Sequence, residues 1–250
     1  MPPPTSTRVC FVIPTYDEAA NITPLLERLT TLYAGGDTAI VIVDDHSPDG
    51  TGRLVRDFAA ADPRVHLLEG PKLGLGHAYV RGMRHALDVL GAETIVQMDA
   101  DFSHDPADAR RLIDRLGAGV DVAIGSRYVA GGGIDDRWSL RRRLLSGWGN
   151  HLTRWVAGLR HVRDCTAGFR AIRAAALRAA GIDDIRARGQ AFQVVLLHRL
   201  TRSGAQVVEE PIFFRERDRG RTKLGWRDIV ECLLVIWQLR FVDLVRPRRA

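Results

Sequence analysis

Short apolar runs alternate with amphipathic segments along the first half of the chain, and each run stops at polar or acidic residues. Residues 9–13 form a continuous apolar run closed by Pro14, as expected of a strand buried on both faces. A polar loop through Glu18 follows, and Asn21 is the expected cap of a helix reaching about Leu32, with Pro24 in its first turn. The run 39–43 predicts a second strand ending at Asp44 and Asp45. Ser47-Pro48-Asp49-Gly50 then reads as a turn, with Thr51 capping the next helix. Residues 65–68 predict a third strand, and a helix over about 77–90 carries Val80, Met83 and Leu87 on one side. In the fourth strand Ile95, Val96 and Met98 are the apolar positions, and the run breaks off at Asp99 and Asp101. Asp105 and Pro106 predict an N-cap and first helical position for a helix to about Leu116, and residues 120–124 a fifth strand. This alternation predicts a doubly wound, mostly parallel α/β sheet with helices on both faces.

Past Tyr128 the pattern changes. Gly131-Gly132-Gly133 leads to a helical segment over about 138–159, a short strand at 169–172 and a short helix at 174–180. A helix over 190–200 precedes two strand-like stretches flanking Glu209-Glu210-Pro211. A last helix, 226–245, has its apolar residues interrupted by Asp228, Glu231, Gln238, Arg240 and Asp243. No apolar run approaches the roughly 18 residues of a membrane span. The leading residues 1–7 lack an apolar core and read as a disordered tail, not a signal peptide.

The net charge of +6 conceals an asymmetry. Residues 1–136 carry 12 Lys and Arg against 20 Asp and Glu, while residues 137–250 carry 24 against 10. The acidic half suits a metal-nucleotide site and the basic half an anionic partner. Cys10, Cys165 and Cys232 form no CxxC pair, so neither a zinc site nor a disulfide framework is suggested, and a reducing compartment fits. The eight histidines show no ligand spacing and are read as structural or exposed.

Candidate chemistry concentrates where strands end. In a parallel sheet that edge collects ligands. Asp99 and Asp101, at i and i+2 beyond a buried strand, are spaced to share one hard cation that keeps positions open for phosphate oxygens. Asp44 and Asp45 are either turn acids or acceptors for a ribose or base edge. Lys72-Leu73-Gly74-Leu75-Gly76 lacks the GxGxxG spacing and follows the third strand, so it reads equally as a loop or as a close approach to ligand.

Taken in order, these blocks resemble the family 2 glycosyltransferases of the GT-A fold, and within them the polyprenol-phosphate (dolichol-phosphate) mannose synthases. The matching blocks are Val12-Ile-Pro-Thr-Tyr-Asp-Glu18, Val43-Asp-Asp-His-Ser-Pro-Asp-Gly-Thr51, Lys72 to Tyr79, Met98-Asp-Ala-Asp-Phe-Ser-His104 and Gly125-Ser-Arg-Tyr128. They continue with Trp138, Arg142, Ser146 and Asn150 at four-residue spacing, Asp164-Cys-Thr-Ala-Gly-Phe-Arg170, Phe192-Gln193, and Arg217 with Gly220-Arg-Thr-Lys-Leu-Gly225.

The resemblance implies Pro14, Tyr16, Glu18, Val43 and Asp45 as the base and ribose pocket. Asp99, Ala100, Asp101 and Ser103 are implied as a diphosphate-metal site for Mg²⁺ or Mn²⁺. Arg127, Arg142, Arg217 and Lys223 are implied as the cations that hold donor diphosphate and acceptor phosphate. The implied reaction moves mannose from GDP-mannose to a polyprenol phosphate with inversion. The alternatives are a UDP-glucose or other UDP-sugar donor on the same lipid, and a non-catalytic nucleotide-sugar or lipid-phosphate binding module.

The implied partners are these two substrates and a membrane surface on the cytoplasmic face, with a membrane-embedded protein as a further partner and no nucleic acid. The implied organisation is a catalytic domain over 8–225, including an interface helix at about 138–159, and an amphipathic helix with a basic tail over 226–250. Three departures stand out. Val195 occupies the position where the family carries an acid two residues after the Gln. Cys165 replaces a small residue or proline, and the transmembrane segments of some relatives are absent.

Overall fold

The computed structural model describes residues 8–35, 37–117, 119–187, 189–216 and 233–241. Strands and helices alternate first: β1 (Val9–Thr15), α1 (Ala19–Leu32), β2 (Thr38–Asp44), α2 (Thr51–Ala61), β3 (Val65–Glu69), α3 (Leu75–Asp88), β4 (Thr94–Gln97), α4 (Ala109–Asp114) and β5 (Val122–Ser126). Then come β6 (Gly133–Ile134), α5 (Leu140–Val156), β7 (Arg170–Arg173), α6 (Ala174–Ala179), α7 (Ala191–Arg202), β8 (Val207–Pro211) and β9 (Phe213–Phe214). Residues 233–241 form a further helix.

Seven strands make one sheet in the order β3-β2-β1-β4-β7-β5-β8, and β6 pairs with β9 in a small separate ribbon. The sheet is mostly parallel, as expected, with one exception. The short strand anticipated near 169–172 is β7, which inserts between β4 and β5 and runs antiparallel to both. The acids Glu209 and Glu210 lie within β8, paired to Ile124 and Gly125, and do not separate two strands.

Strand periodicity explains the layers. On β1 and β2, Cys10, Val12, Val41 and Val43 face one core with Tyr79 and Met83 of α3 and Leu196 and Leu200 of α7. The alternate residues Phe11, Ile13, Ile40 and Ile42 face the other core with Ile22, Leu25, Leu26 and Leu29 of α1. Near-continuous apolar strands are what burial on both faces requires.

Two expected caps are corrected. Helix α1 begins at Ala19, ahead of Asn21, whose side chain lies within the helix and donates to Glu18 Oε2 at 2.9 Å. Helix α2 begins at Thr51 itself, after Gly50 at φ 90°, and Thr51 Oγ1 donates to Asp49 Oδ1. The start of α1 is closed from the second loop, where Asp49 Oδ2 accepts from Ala19 N at 2.9 Å. The cap at Asp105 is as expected, with its carboxylate accepting from Ala107 N ahead of Pro106.

Candidate functional site

Strand order reverses between β1 and β4, since the chain steps from β1 outward to β2 and β3 and then returns to the other side of β1. The crevice beyond the C-terminal ends at such a point is where open α/β sheets bind ligands. The three non-glycine residues with positive φ among the described residues all sit on this edge: Asp17 (56°), His46 (51°) and Phe102 (59°), after β1, β2 and β4. Such conformations persist where surrounding contacts enforce them, and they cluster at functional sites.

The loops after β1 and β2 are stitched together. Thr15 Oγ1 donates to Asp44 Oδ1 at 3.0 Å, Asp17 N to Ser47 Oγ at 3.1 Å, and Glu18 N to Thr51 Oγ1 at 3.0 Å. Asp44 also accepts from Ser47 N and Oγ, which makes it the turn acid of the pair. Asp45 has a different neighbourhood: Arg81 of α3 donates to its Oδ1 at 3.0 Å, and Lys72 lies 3.2 Å from the centroid of the Tyr16 ring. Of the candidate base-pocket residues, Tyr16 and Asp45 each carry a cation, Pro14 and Val43 pair in register at the strand ends with the Val43 side chain in the core, and Glu18 is tied to the second loop through Thr51.

The two glycines of the KxGxG segment have different local reasons, a backbone conformation at Gly74 and a close backbone approach at Gly76. Gly74 has φ 105°, and a Cβ on Gly76 would overlap the Ala187 carbonyl oxygen.

At the end of β4, Asp99 and Asp101 follow Met98, which lies just outside the strand. Buried Tyr79 donates through its hydroxyl to Met98 O and Asp99 Oδ1, both at 3.3 Å, and stacks on Phe192. Burial and the Asp99 charge push the Tyr79 phenol well above its ordinary range, so it remains a donor. Asp101 Oδ1 accepts from Ser103 N at 3.0 Å across the turn that Phe102 makes. His104 is buried, stacks on Phe169 with centroids 4.9 Å apart, and accepts from Asp99 N at Nδ1 (3.4 Å). Burial pushes its imidazole below the usual range, consistent with a neutral structural ring.

Beneath these acids, Gln97 donates to Gln193 Oε1 at 2.6 Å, and fully buried Arg170 donates to Gln193 O. Val195, further along α7, lies among apolar side chains. It borders a cavity of about 640 Å³ shared with Val235 and Leu239, which none of the candidate site residues lines.

The donor set fits a hard divalent cation in part. Two carboxylates and a hydroxyl surround one turn, and Ser103 Oγ is buried with no hydrogen-bond partner. No group of three or more His, Cys, Asp or Glu side chains able to hold an ion occurs among the described residues. An ion here would take its remaining ligands from water and phosphate, as Mg²⁺ characteristically does.

The cationic residues divide. Arg127, after β5, forms a bidentate pair with Asp164, Nε to Oδ2 and Nη2 to Oδ1 both at 2.7 Å, and Nη2 also reaches Thr166 Oγ1. Burial alone would raise the Asp164 carboxyl, yet the Arg127 charge and bonds hold it below the ordinary range. Among the described residues Arg127 Nη1 makes no hydrogen bond. Arg142 on α5 pairs with Glu216 Oε2 at 2.5 Å and stacks on Trp138 at 3.6 Å. Arg217 and Lys223 lie outside the described residues, as does the loop between them.

Sequence reading missed Thr15, Tyr79, Arg81 and Asp164 as parts of this site. Thr15, Tyr79 and Asp164 stand inside the matching blocks, which was their signal. Arg81 carries none beyond its place on the expected helix, six residues after Leu75, the first residue of α3.

The fold is an α/β domain with the candidate site at the strand-order reversal, and similarity to known proteins gives its family. Residues 10–181 match the Glycosyl transferase family 2 model, so the chain belongs to that family and has its GT-A-like fold. It is 40% identical over 237 residues to a polyprenol monophosphomannose synthase of Mycolicibacterium smegmatis, covering 93% of this chain and 88% of the relative. It is 42% identical to an undecaprenyl-phosphate mannosyltransferase of Micrococcus luteus, covering 87% and 88%. It is 32% identical to a dolichol-phosphate mannosyltransferase of Pyrococcus furiosus, covering 93% of this chain and 63% of that protein. Among solved structures, glucosyl-3-phosphoglycerate synthase of Mycobacterium tuberculosis with Mn²⁺, UDP-glucose and phosphoglyceric acid matches with TM-score 0.65 at 17% identity, covering 94% and 80%. That likeness concerns the fold.

Proposed function

We propose that this chain is a polyprenol-phosphate mannosyltransferase that takes mannose from GDP-mannose in the presence of Mg²⁺ or Mn²⁺. The observation that carries the reading is the carboxylate pair Asp99 and Asp101 at the strand-order reversal, beside the Asp45 pocket, in a chain so similar over most of its length to enzymes named for that transfer.

In this reading Tyr16, Glu18 and Asp45 hold base and ribose, while Asp99, Asp101 and Ser103 hold the cation. The cation, when bound, would act as a Lewis acid that neutralises charge on the departing diphosphate. Tyr79 fixes the Asp99 carboxylate through its hydroxyl, and the turn at Phe102 fixes Asp101 against Ser103 N. Arg127, anchored by Asp164, presents its Nη1 edge to phosphate, where a preorganised guanidinium loses little on binding. The acceptor phosphate is already an anion at neutral pH, so no general base has to take a proton from it.

The lipid acceptor calls for a membrane surface, and α5 is suited to meet one. Its buried positions are Asn150 and Thr153, whereas Leu140, Leu144, Leu145, Trp148 and Trp155 are exposed. At about 100° per residue those five side chains form one stripe opposite the buried pair. An apolar stripe turned outward is the arrangement of a helix lying in a bilayer interface. No helix among the described residues is long and apolar enough to cross a membrane.

The test is release of GDP from GDP-mannose, dependent on both a polyprenol phosphate and Mn²⁺ or Mg²⁺. Release from UDP-glucose instead would move the donor assignment, and no release from either would leave a binding module.

A further inference from the structure

We propose that Arg81 is a positioning residue that sets the base preference of the nucleotide pocket by aiming the Asp45 carboxylate, and that Gly70 exists to let it do so. The inference rests on the donor reading above for the identity of the base, and on geometry for the rest. Arg81 leaves α3 and donates from Nη2 to Asp45 Oδ1 at 3.0 Å. Its guanidinium lies directly against Gly70 at the end of β3: a Cβ there would overlap Arg81 Nη1 and fall 2.9 Å from Cζ. The Gly70 backbone is itself held in register by its N–H, which donates to Asp44 O at 3.0 Å. Two neighbouring strand ends and one helix thus fix a single rotamer of Arg81.

The consequence falls on Asp45. Its Oδ1 is taken by Arg81, and its Oδ2 accepts no hydrogen bond among the described residues. One oxygen is anchored and the other is left for a ligand donor. Burial pushes the Asp45 carboxyl upward and the Asp44 charge adds to that, while the Arg81 bond and charge and the Lys72 charge oppose it. Arg81 therefore supplies both orientation and much of the opposition to protonation. An ionised carboxylate only accepts hydrogen bonds. It favours a base edge that presents N–H donors, as guanine does at N1 and its 2-amino group, over one that presents an acceptor.

Arg81 Nε is buried without a partner. A guanidinium kept with an unsatisfied donor is poorly explained by its own stabilisation, and better explained by what it does to Asp45.

Two variants separate positioning from simple loss of charge. Arg81→Met removes the guanidinium. Gly70→Ala keeps it but displaces it, and the displaced atoms are the far end of a flexible side chain, so the fold should survive. Calorimetric titration with Mn²⁺ present compares GDP with inosine diphosphate, which lacks the 2-amino donor. The wild type should prefer GDP by about ten- to a hundredfold, the value of one hydrogen bond to a charged group. Both variants should bring that ratio close to one, with affinity for inosine diphosphate changed much less than that for GDP. Thermal melts establish that each variant is folded, and if Arg81→Met fails to fold, Gly70→Ala carries the test alone.

A folded variant that retains the wild-type ratio overturns the proposal. If the wild type instead binds UDP more tightly than GDP, the donor reading has failed separately. Arg81 is then judged on UDP against CDP, because uracil offers an N3–H donor where cytosine offers an acceptor. A collapse of that ratio in both variants supports the positioning role, and an unchanged ratio overturns it.

Discussion

At the scale of single residues, the two carboxylates after β4 differ in how they are held. Asp99 is reached by a phenol from α3, whereas Asp101 is buried and fixed by the backbone of its own turn. If these acids carry a diphosphate-bound cation, the contact is stronger in the transition state than in the ground state. Asp101→Ala should then lower kcat by well over tenfold while circular dichroism shows the fold intact. Retention of more than a tenth of wild-type kcat would remove Asp101 from the site.

The pair of Arg127 and Asp164 makes a different prediction, about stability. Asp164 is fully buried and its carboxyl is held below the ordinary value of 3.8. A depressed folded-state value contributes stability above the unfolded value, and that stability is lost as pH falls through the folded one. Asp164→Asn leaves a buried guanidinium without its counter-charge, at a cost of roughly 3–5 kcal/mol. Urea midpoints should fall by a corresponding amount at neutral pH, and the gap between variant and wild type should close below about pH 4. A constant gap down to strongly acidic pH would show that the charge pair is not the source of the loss.

At the scale of elements, the strand ends were legible because each is an apolar run that stops at polar or acidic residues, and burial on both faces leaves little choice of period. β1, β2, β4 and the loops after them need no information from distant sequence. The antiparallel course of β7 was not legible: so short a strand carries no direction of its own, and pairing with β4 and β5 decides it. The cap of α1 failed for a related reason. Local rules name the nearest Asn, yet Asp49, 30 residues from Ala19 along the chain, makes the bond. Pairings across such separations, including Arg81 with Asp45, depend on which strands become neighbours.

Helix α5 shows the converse. Its Trp and Leu residues recur at helical spacing, which alone does not say which way they face, and the structure turns them outward, with Trp148 70% and Leu145 72% exposed. Because they are so open to solvent, Leu145→Asp with Trp148→Asp should change the unfolding free energy by about the ±0.5 kcal/mol of surface positions. Binding to liposomes should fall severalfold in a sedimentation assay. A double variant that binds as well as the wild type would show that the stripe does not touch lipid.

At the scale of the whole molecule, charge is distributed to match this arrangement. The acidic excess lies in residues 1–136, which supply β1 to β5 and the carboxylates at their ends, and the basic excess lies in residues 137–250. Arg141, Arg142 and Arg143 sit at the start of α5, beside its exposed stripe. The helix over 233–241 shares the pattern: Ile236 is buried on the body of the protein, while Leu234, Trp237 and Phe241 are exposed. Each cation near an anionic bilayer contributes about 1 kcal/mol, and that attraction decays within about 10 Å at 0.1 M salt. Insertion of Trp and Leu is far less sensitive to salt. The full-length chain should therefore float with liposomes containing anionic lipid at low salt, be partly released at high salt, and float weakly with neutral liposomes. Complete release at high salt would assign the contact to charge alone and leave the exposed stripe without a role at the bilayer. A protein that stays in the soluble fraction throughout, while a control amphipathic peptide floats, would mean that a partner chain supplies the membrane contact.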